Sequence, residues 1–319
     1  MIYKSIADLA RTVAASIHRL PSDTDLIVGV PRSGMLAGSM IALHLNCKLT
    51  DVNSFCANAP LTTGRTRSAH GAALQHAWDA KHVVVVDDSA SSGGSMEAVR
   101  RQLAACGYDG RVSYGVVYAG ENSPVQLDFF FEKTVFPRVF QWNLFHRKEA
   151  EFYCVDIDGV LCIDPTAQEN DDGPRYKTFI EAALPLAPCS YRIGHLVTSR
   201  LEKYRSLTER WLKSRGIEYG VLHMLDLPTA AERRRLGAHG SFKASVYAAQ
   251  RNSILFIESE TAQSIEIARR AGKHVLDYGQ HLMRSPSLAA ELPRLVEQRS
   301  AHMAARVRRK LASTVRRWL

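Results

Sequence analysis

Residues 83–95 read "VVVVDDSASSGGS", and the fold turns on them. Four β-branched residues in a row, within "KHVVVVD" (81–87), suit a strand buried on both faces, the environment of a parallel sheet. Two aspartates follow, then a Ser/Gly loop, then "SMEAVRRQLAAC" (95–106), whose helical spacing stops at Gly107. A strand passing through such a loop into a helix is an anion site. Backbone N–H groups converge there, and the helix dipole adds about half a positive charge. Ser89, Ser91, Ser92 and Ser95 bring hydroxyl donors, and Gly93 and Gly94 let a phosphate approach the backbone. Asp87 and Asp88 repel a phosphate unless they face something else, such as sugar hydroxyls or a Mg²⁺ ion. A sugar phosphate meets both demands.

The same βα rhythm extends on either side. "DLIVGV" (25–30) and "RVSYGVVY" (111–118) read as further buried strands, and "SGMLAGSMIALHL" (33–45) as a helix. Residues 137–150 break the rhythm, which restarts at "EFYCVDIDGVL" (151–161). Strands follow at 193–199, 254–259 and 273–278, with helices at 202–216 and 260–272. The expectation is α/β throughout: two Rossmann-like parallel-sheet domains over 1–136 and 151–290, a linker at 137–150 and a basic amphipathic helix at 291–319.

A chain of 319 residues suits two domains at the usual ~100–200 residues each. No apolar run reaches the ~18 residues of a transmembrane helix. The first twenty residues, with Asp8 among them, read as an amphipathic helix rather than a signal peptide. The six cysteines are scattered without a CxxC pair, which suggests neither a zinc site nor a disulfide framework. A reducing cytoplasm is the expected location.

The opening motif resembles the 5-phosphoribosyl-1-pyrophosphate (PRPP) site of type I phosphoribosyltransferases, in which an apolar strand, an acidic pair and a small-residue loop occur in that order. The resemblance implies that Asp87 and Asp88 face the ribose hydroxyls and that Ser89, Ala90, Ser91, Ser92, Gly93, Gly94 and Ser95 hold the 5-phosphate. This chain has Ser92 and Ser95 where the family usually has threonines, and the hydroxyl is kept. "GVPRSGM" (29–35) stands where the family has its pyrophosphate loop, implying a role for Arg32, Ser33 and nearby amides. "NAPLTTGRTRSAHG" (58–71) stands where the family keeps a mobile loop, with Arg65 and Arg67 available for phosphate.

"VDIDGVL" (155–161) places two aspartates at a strand end. It resembles the first motif of the haloacid dehalogenase (HAD) superfamily, mostly phosphatases. The resemblance implies Asp156 as nucleophile and Asp158 as general acid/base. Thr198 in "LVTSR" would bind the phosphoryl group and Lys243 in "SFKASVY" would neutralise it. In "LFIESE" the resemblance implies an acidic Mg²⁺ ligand beside Asp156 and Asp158, either Glu258 or Glu260, with Glu258 preferred. The family more often has Asp there. Only about forty residues separate the first two motifs, leaving little room for a cap domain.

The net charge is +9, and residues 301–319 contain no acidic residue. Met303, Val307, Leu311, Val315 and Trp318 form one helical stripe amid arginines and Lys310. Three readings fit: an interfacial membrane helix, a helix packed on the second domain, and nucleic-acid binding, the least favoured. Together the two resemblances imply transfer of 5-phosphoribosyl from PRPP and removal of its phosphate. With the tail, the whole resembles fused ribofuranosyltransferases of bacterial surface polysaccharides. That implies a lipid-linked glycan acceptor and a peripheral place on the inner face of the cytoplasmic membrane. The alternatives are an enzyme making a small ribosylated metabolite and a PRPP-sensing regulator.

Overall fold

The computed structural model describes residues 1–62, 74–121 and 126–286. Arg65, Arg67 and the whole of 291–319 lie outside the described residues. The chain divides into two units, Met1–Trp142 and a second that begins at Asn143.

The first unit runs β1 (Ile2–Lys4), α1 (Ile6–Ser16), β2 (Leu26–Gly29), α2 (Ser33–Leu45), β3 (Lys48–Asp51), α3 (Val52–Cys56), β4 (His82–Ala90), α4 (Gly94–Ala105), β5 (Arg111–Gly120), β6 (Phe129–Thr134) and β7 (Arg138–Phe140). Five strands form a parallel sheet in the order β3-β2-β4-β5-β6. The central strand β4 explains the four valines. Val83 and Val85 enter one hydrophobic cluster with Leu26 and Val116, while Val84 and Val86 enter another with Ile27 and Val117. All four are fully buried, and each such side chain stabilises the fold by about 1.5–3 kcal/mol. The strand continues to Ala90, three residues past the expected end at Asp87, because it stays paired with β5 as far as Ala119.

Two expectations for this unit change. The N-terminal segment is not helical throughout: Ile2–Lys4 is a strand, and α1 starts after Ser5. Ser5 and Asp8 form a reciprocal cap, in which Asp8 N donates to Ser5 Oγ at 3.1 Å and Ser5 N to Asp8 Oδ2 at 2.8 Å. Nor is 137–150 only a linker. Its residues Arg138–Phe140 pair in parallel with Ile2–Lys4, and all three are buried.

The second unit runs β8 (Tyr153–Val155), α5 (Pro174–Ala182), β9 (Ile193–Leu201), α6 (Arg205–Ser214), β10 (Tyr219–Leu225), α7 (Ala230–Arg235), α8 (Ala238–Ala249), β11 (Leu255–Glu258), α9 (Thr261–Ala271), β12 (Val275–Asp277) and β13 (Leu282–Arg284). Its sheet has the order β10-β9-β8-β11-β12-β13, parallel except for the edge strand β13. The strand order places β8 between β9 and β11, so the C-terminal ends of these three strands lie together. Open α/β sheets bind ligands at that edge. Among the described residues, no helix is long and apolar enough to cross a membrane.

Candidate active sites

In the first unit, β4 delivers Asp87 and Asp88 to the sheet's C-terminal edge, both buried. They hydrogen-bond in sequence, with Asp88 N donating to Asp87 Oδ1 at 2.8 Å. Ser33, the first residue of α2, donates to Asp88 Oδ1 at 2.9 Å, and Ser95, in the first turn of α4, reaches Asp87 Oδ2 at 3.4 Å. The two loops of the resemblance therefore meet at the acidic pair. Burial, reinforced by Asp88, pushes Asp87 up to about 8. Gly93 caps α4 with φ +83°, a left-handed conformation that glycine adopts without steric cost. Ser91, Ser92, Gly94 and Ser95 are exposed above it, and Ser89 and Ala90 remain in the strand. Arg32 is exposed, and its peptide bond to Pro31 is cis. Gly34 lets α2 approach closely: a Cβ there would lie 2.7 Å from Val86 O and 2.9 Å from Asp87 Oδ1.

In the second unit, Asp156 follows β8 directly, anchored by its N–H to Ile257 O at 3.0 Å. The chain then turns through Gly159 at φ +73°, where a Cβ would run into Ser259. Lys243, on α8, donates to Asp156 Oδ2 and Glu258 Oε2, each at 2.6 Å, and to Gln263 Oε1 at 3.0 Å. Asp156, Lys243 and Glu258 are all buried. Burial alone would lower the Lys243 pKa, but Asp156 and Glu258 outweigh it and hold Lys243 above the ordinary lysine range. Burial raises Asp156 to about 8, with Lys243 pulling down and Glu258 and Asp158 pushing up. Asp158 is gripped at both oxygens by Arg200, at 2.6 Å from Nη2 and 3.1 Å from Nε. Arg200 is itself buried, and Asp158 outweighs the burial to raise its pKa. Thr198 is fully buried, and its Oγ1 accepts from Arg200 N at 3.2 Å.

Asp156, Asp158, Thr198, Lys243 and Glu258 line one cavity of about 310 Å³. Arg233 and His239 line it too, and burial, then Arg233 and Lys243, push His239 down to about 4. Glu260, the alternative to Glu258, caps α9 through Ala262 N and Gln263 N. Among the described residues, no three His, Cys, Asp or Glu side chains are arranged to hold a metal. Asp156 and Glu258 are turned to Lys243, and Asp158 to Arg200. As a donor set, the three carboxylates still suit Mg²⁺, a hard cation that takes oxygen ligands.

Residues 1–150 match the family described as the phosphoribosyl transferase domain. These residues form a type I phosphoribosyltransferase domain. Similar solved structures include a purine phosphoribosyltransferase from Pyrococcus horikoshii Ot3, at 21% identity, covering 44% of this chain and 92% of that one, with a TM-score of 0.33. The Helicobacter pylori xanthine-guanine-hypoxanthine phosphoribosyltransferase follows at 16% identity, 45% and 92% coverage and a TM-score of 0.33. No curated protein matches the chain.

Sequence reasoning missed several residues at both sites. In the phosphoribosyltransferase domain, Trp142 Nε1 donates to Asp88 Oδ2 at 2.7 Å and stacks on Phe140 at 4.9 Å. The aromatic alternation in "RVFQW" was its signal. In the second unit, Arg200 is the last residue of the quoted "LVTSR", and Gln263 and Arg233 lie in helices without any local signature.

Proposed function

We propose that this chain transfers 5-phosphoribosyl from PRPP to an acceptor and then removes the 5-phosphate. The observation that carries the reading is the presence, in one chain, of two acidic strand-end sites with different surroundings. One faces a Ser/Gly helix start and the other a buried lysine.

In the first reaction, Asp87 and Asp88 hold the ribose hydroxyls, residues 89–95 the 5-phosphate, and Arg32 and Ser33 the pyrophosphate. Charge-assisted bonds to carboxylates suit ribose hydroxyls, and backbone amides suit phosphate. Displacement of α-linked pyrophosphate through an oxocarbenium-like state gives a β-ribofuranosyl 5-phosphate. In the second reaction, a HAD-type phosphomonoesterase step, Asp156 attacks phosphorus. Lys243 offsets the negative charge, and Thr198 binds a phosphoryl oxygen. Asp158 protonates the leaving alkoxide and then takes a proton from the attacking water. Asp156 and Glu258, with Asp158, would hold Mg²⁺, which supplies further charge neutralisation at the phosphoryl group.

For the acceptor, the match to the phosphoribosyl transferase domain favours a small molecule, giving a ribosylated, nucleoside-like product. A glycan, lipid-linked and met at a membrane surface, is the second reading. The basic apolar stripe of 301–319 favours it.

Mass spectrometry of acceptors incubated with PRPP and Mg²⁺ tests the scheme. The wild-type product should gain ribose alone, while Asp156→Asn should leave it one phosphate heavier. An Asp156→Asn variant that yields the dephosphorylated product unaided would sink the two-step scheme. Bases and a lipid-linked glycan, run side by side, separate the acceptor readings. Binding of PRPP without pyrophosphate release from any acceptor would leave a PRPP sensor.

A further inference from the structure

Two buried donors at the second unit's cavity make no hydrogen bond among the described residues: Arg233 Nε, on α7, and Ser199 Oγ, in β9. Arg233 is only 6% exposed and Ser199 8%. They are neighbours, since Arg233 Nη1 donates to the Ser199 carbonyl at 2.7 Å. Buried donors are normally satisfied, so two orphans side by side on a cavity wall point to a missing acceptor. The neighbouring cations are already engaged, Lys243 by Asp156 and Glu258, and Arg200 by Asp158. Arg233 therefore brings positive charge that no carboxylate in the cavity uses. The tie to Ser199 O accounts for one edge of its guanidinium and leaves Nε unexplained.

We propose that Arg233 and Ser199 form an oxyanion-binding pair that grips the non-bridging oxygens of the phosphomonoester, next to Thr198. A planar guanidinium matches phosphate geometry, and a hydroxyl adds a second donor from the adjoining strand. The pair deepens the phosphomonoesterase reading of this cavity and rests on it for the identity of the anion. Arg233 and Ser199 bind the phosphoryl group; the attack belongs to Asp156.

Calorimetric titration of the full chain with inorganic phosphate, in the presence of Mg²⁺, tests the pair. Arg233→Gln should weaken phosphate binding about tenfold to a hundredfold, the range for losing hydrogen bonds to a charged group. Ser199→Ala should weaken it less, and Arg233→Lys should restore part of the loss. Steady-state hydrolysis of a generic phosphomonoester should show Arg233→Gln raising KM more than it lowers kcat. Wild-type affinity in a folded Arg233→Gln variant overturns the proposal. If that variant does not fold, unchanged affinity in Ser199→Ala does the same. A wild type that binds no phosphate also overturns the pair. A wild type that binds phosphate but hydrolyses nothing sinks the phosphomonoesterase reading and leaves the pair standing.

Discussion

Asp87 sits where its own carboxylate is costly to ionise. Burial and the neighbouring Asp88 raise its folded pKa to about 8, from the ordinary aspartate value of 3.8. A raised folded pKa means stability that is complete below the unfolded pKa and is lost as pH rises through the folded one. The wild type should therefore lose stability between about pH 4 and pH 8. Asp87→Asn carries no such titration. It should melt higher than wild type at pH 8, with the gap closing toward pH 4, while PRPP-dependent pyrophosphate release collapses. Thermal melts across that window check the sign, and a gap that widens on acidification would contradict it. The aspartate itself was legible in the sequence because strand, acid pair and loop occur in one stretch. Trp142, which donates to Asp88, was less legible because it lies 54 residues away.

At the scale of elements, the buried strands and the helices packed on them were easiest to read. The runs at 25–30 and 81–87 contain β2 and most of β4, and α2 spans the expected 33–45. Three-residue strands such as β1 and β7 left no periodic trace, since each is held by the other across the chain rather than by its own pattern. The helix α8 was not read as a helix even though it carries Lys243. Its buried face includes Gly240, Lys243, Ala244 and Tyr247, where a glycine and a lysine mask the apolar spacing. Packing of α2 on β4 depends on Gly34, which has backbone and Asp87 within about 3 Å of any added Cβ. Gly34→Ala should cost about 1–3 kcal/mol by overpacking. Because two of the three nearest atoms belong to Asp87, PRPP affinity should fall as well. Urea unfolding and a PRPP titration measure the two effects, and a stable variant with wild-type affinity would show that the contact is easily relieved.

Among the described residues, the five-stranded and six-stranded sheets have separate hydrophobic clusters, which implies two cooperative units. Calorimetry should resolve two transitions. PRPP should raise the first unit's transition by mass action, and inorganic phosphate should raise the second unit's by an amount that Arg233→Gln reduces. A single transition, shifted by either ligand, would mean that the units unfold together. The sequence showed this division as a break in the βα rhythm at 137–150. Its position was less clear, because the same residues supply a buried strand and an aromatic side chain to the first unit.

The four valines of β4 have one further consequence. A strand of identical residues is degenerate under a shift by one position, since every face still receives valine. Hydrophobicity alone therefore does not tell the chain how far to thread β4 through the sheet. The aspartates remove that degeneracy. Threading one step too far would draw Asp87 into the space of Val86, between two hydrophobic layers, where an unpaired carboxylate is strongly penalised. The acid pair read here as sugar-binding thus also acts as the stop that sets the strand's alignment, and neutral replacements at both positions should blunt the two roles together.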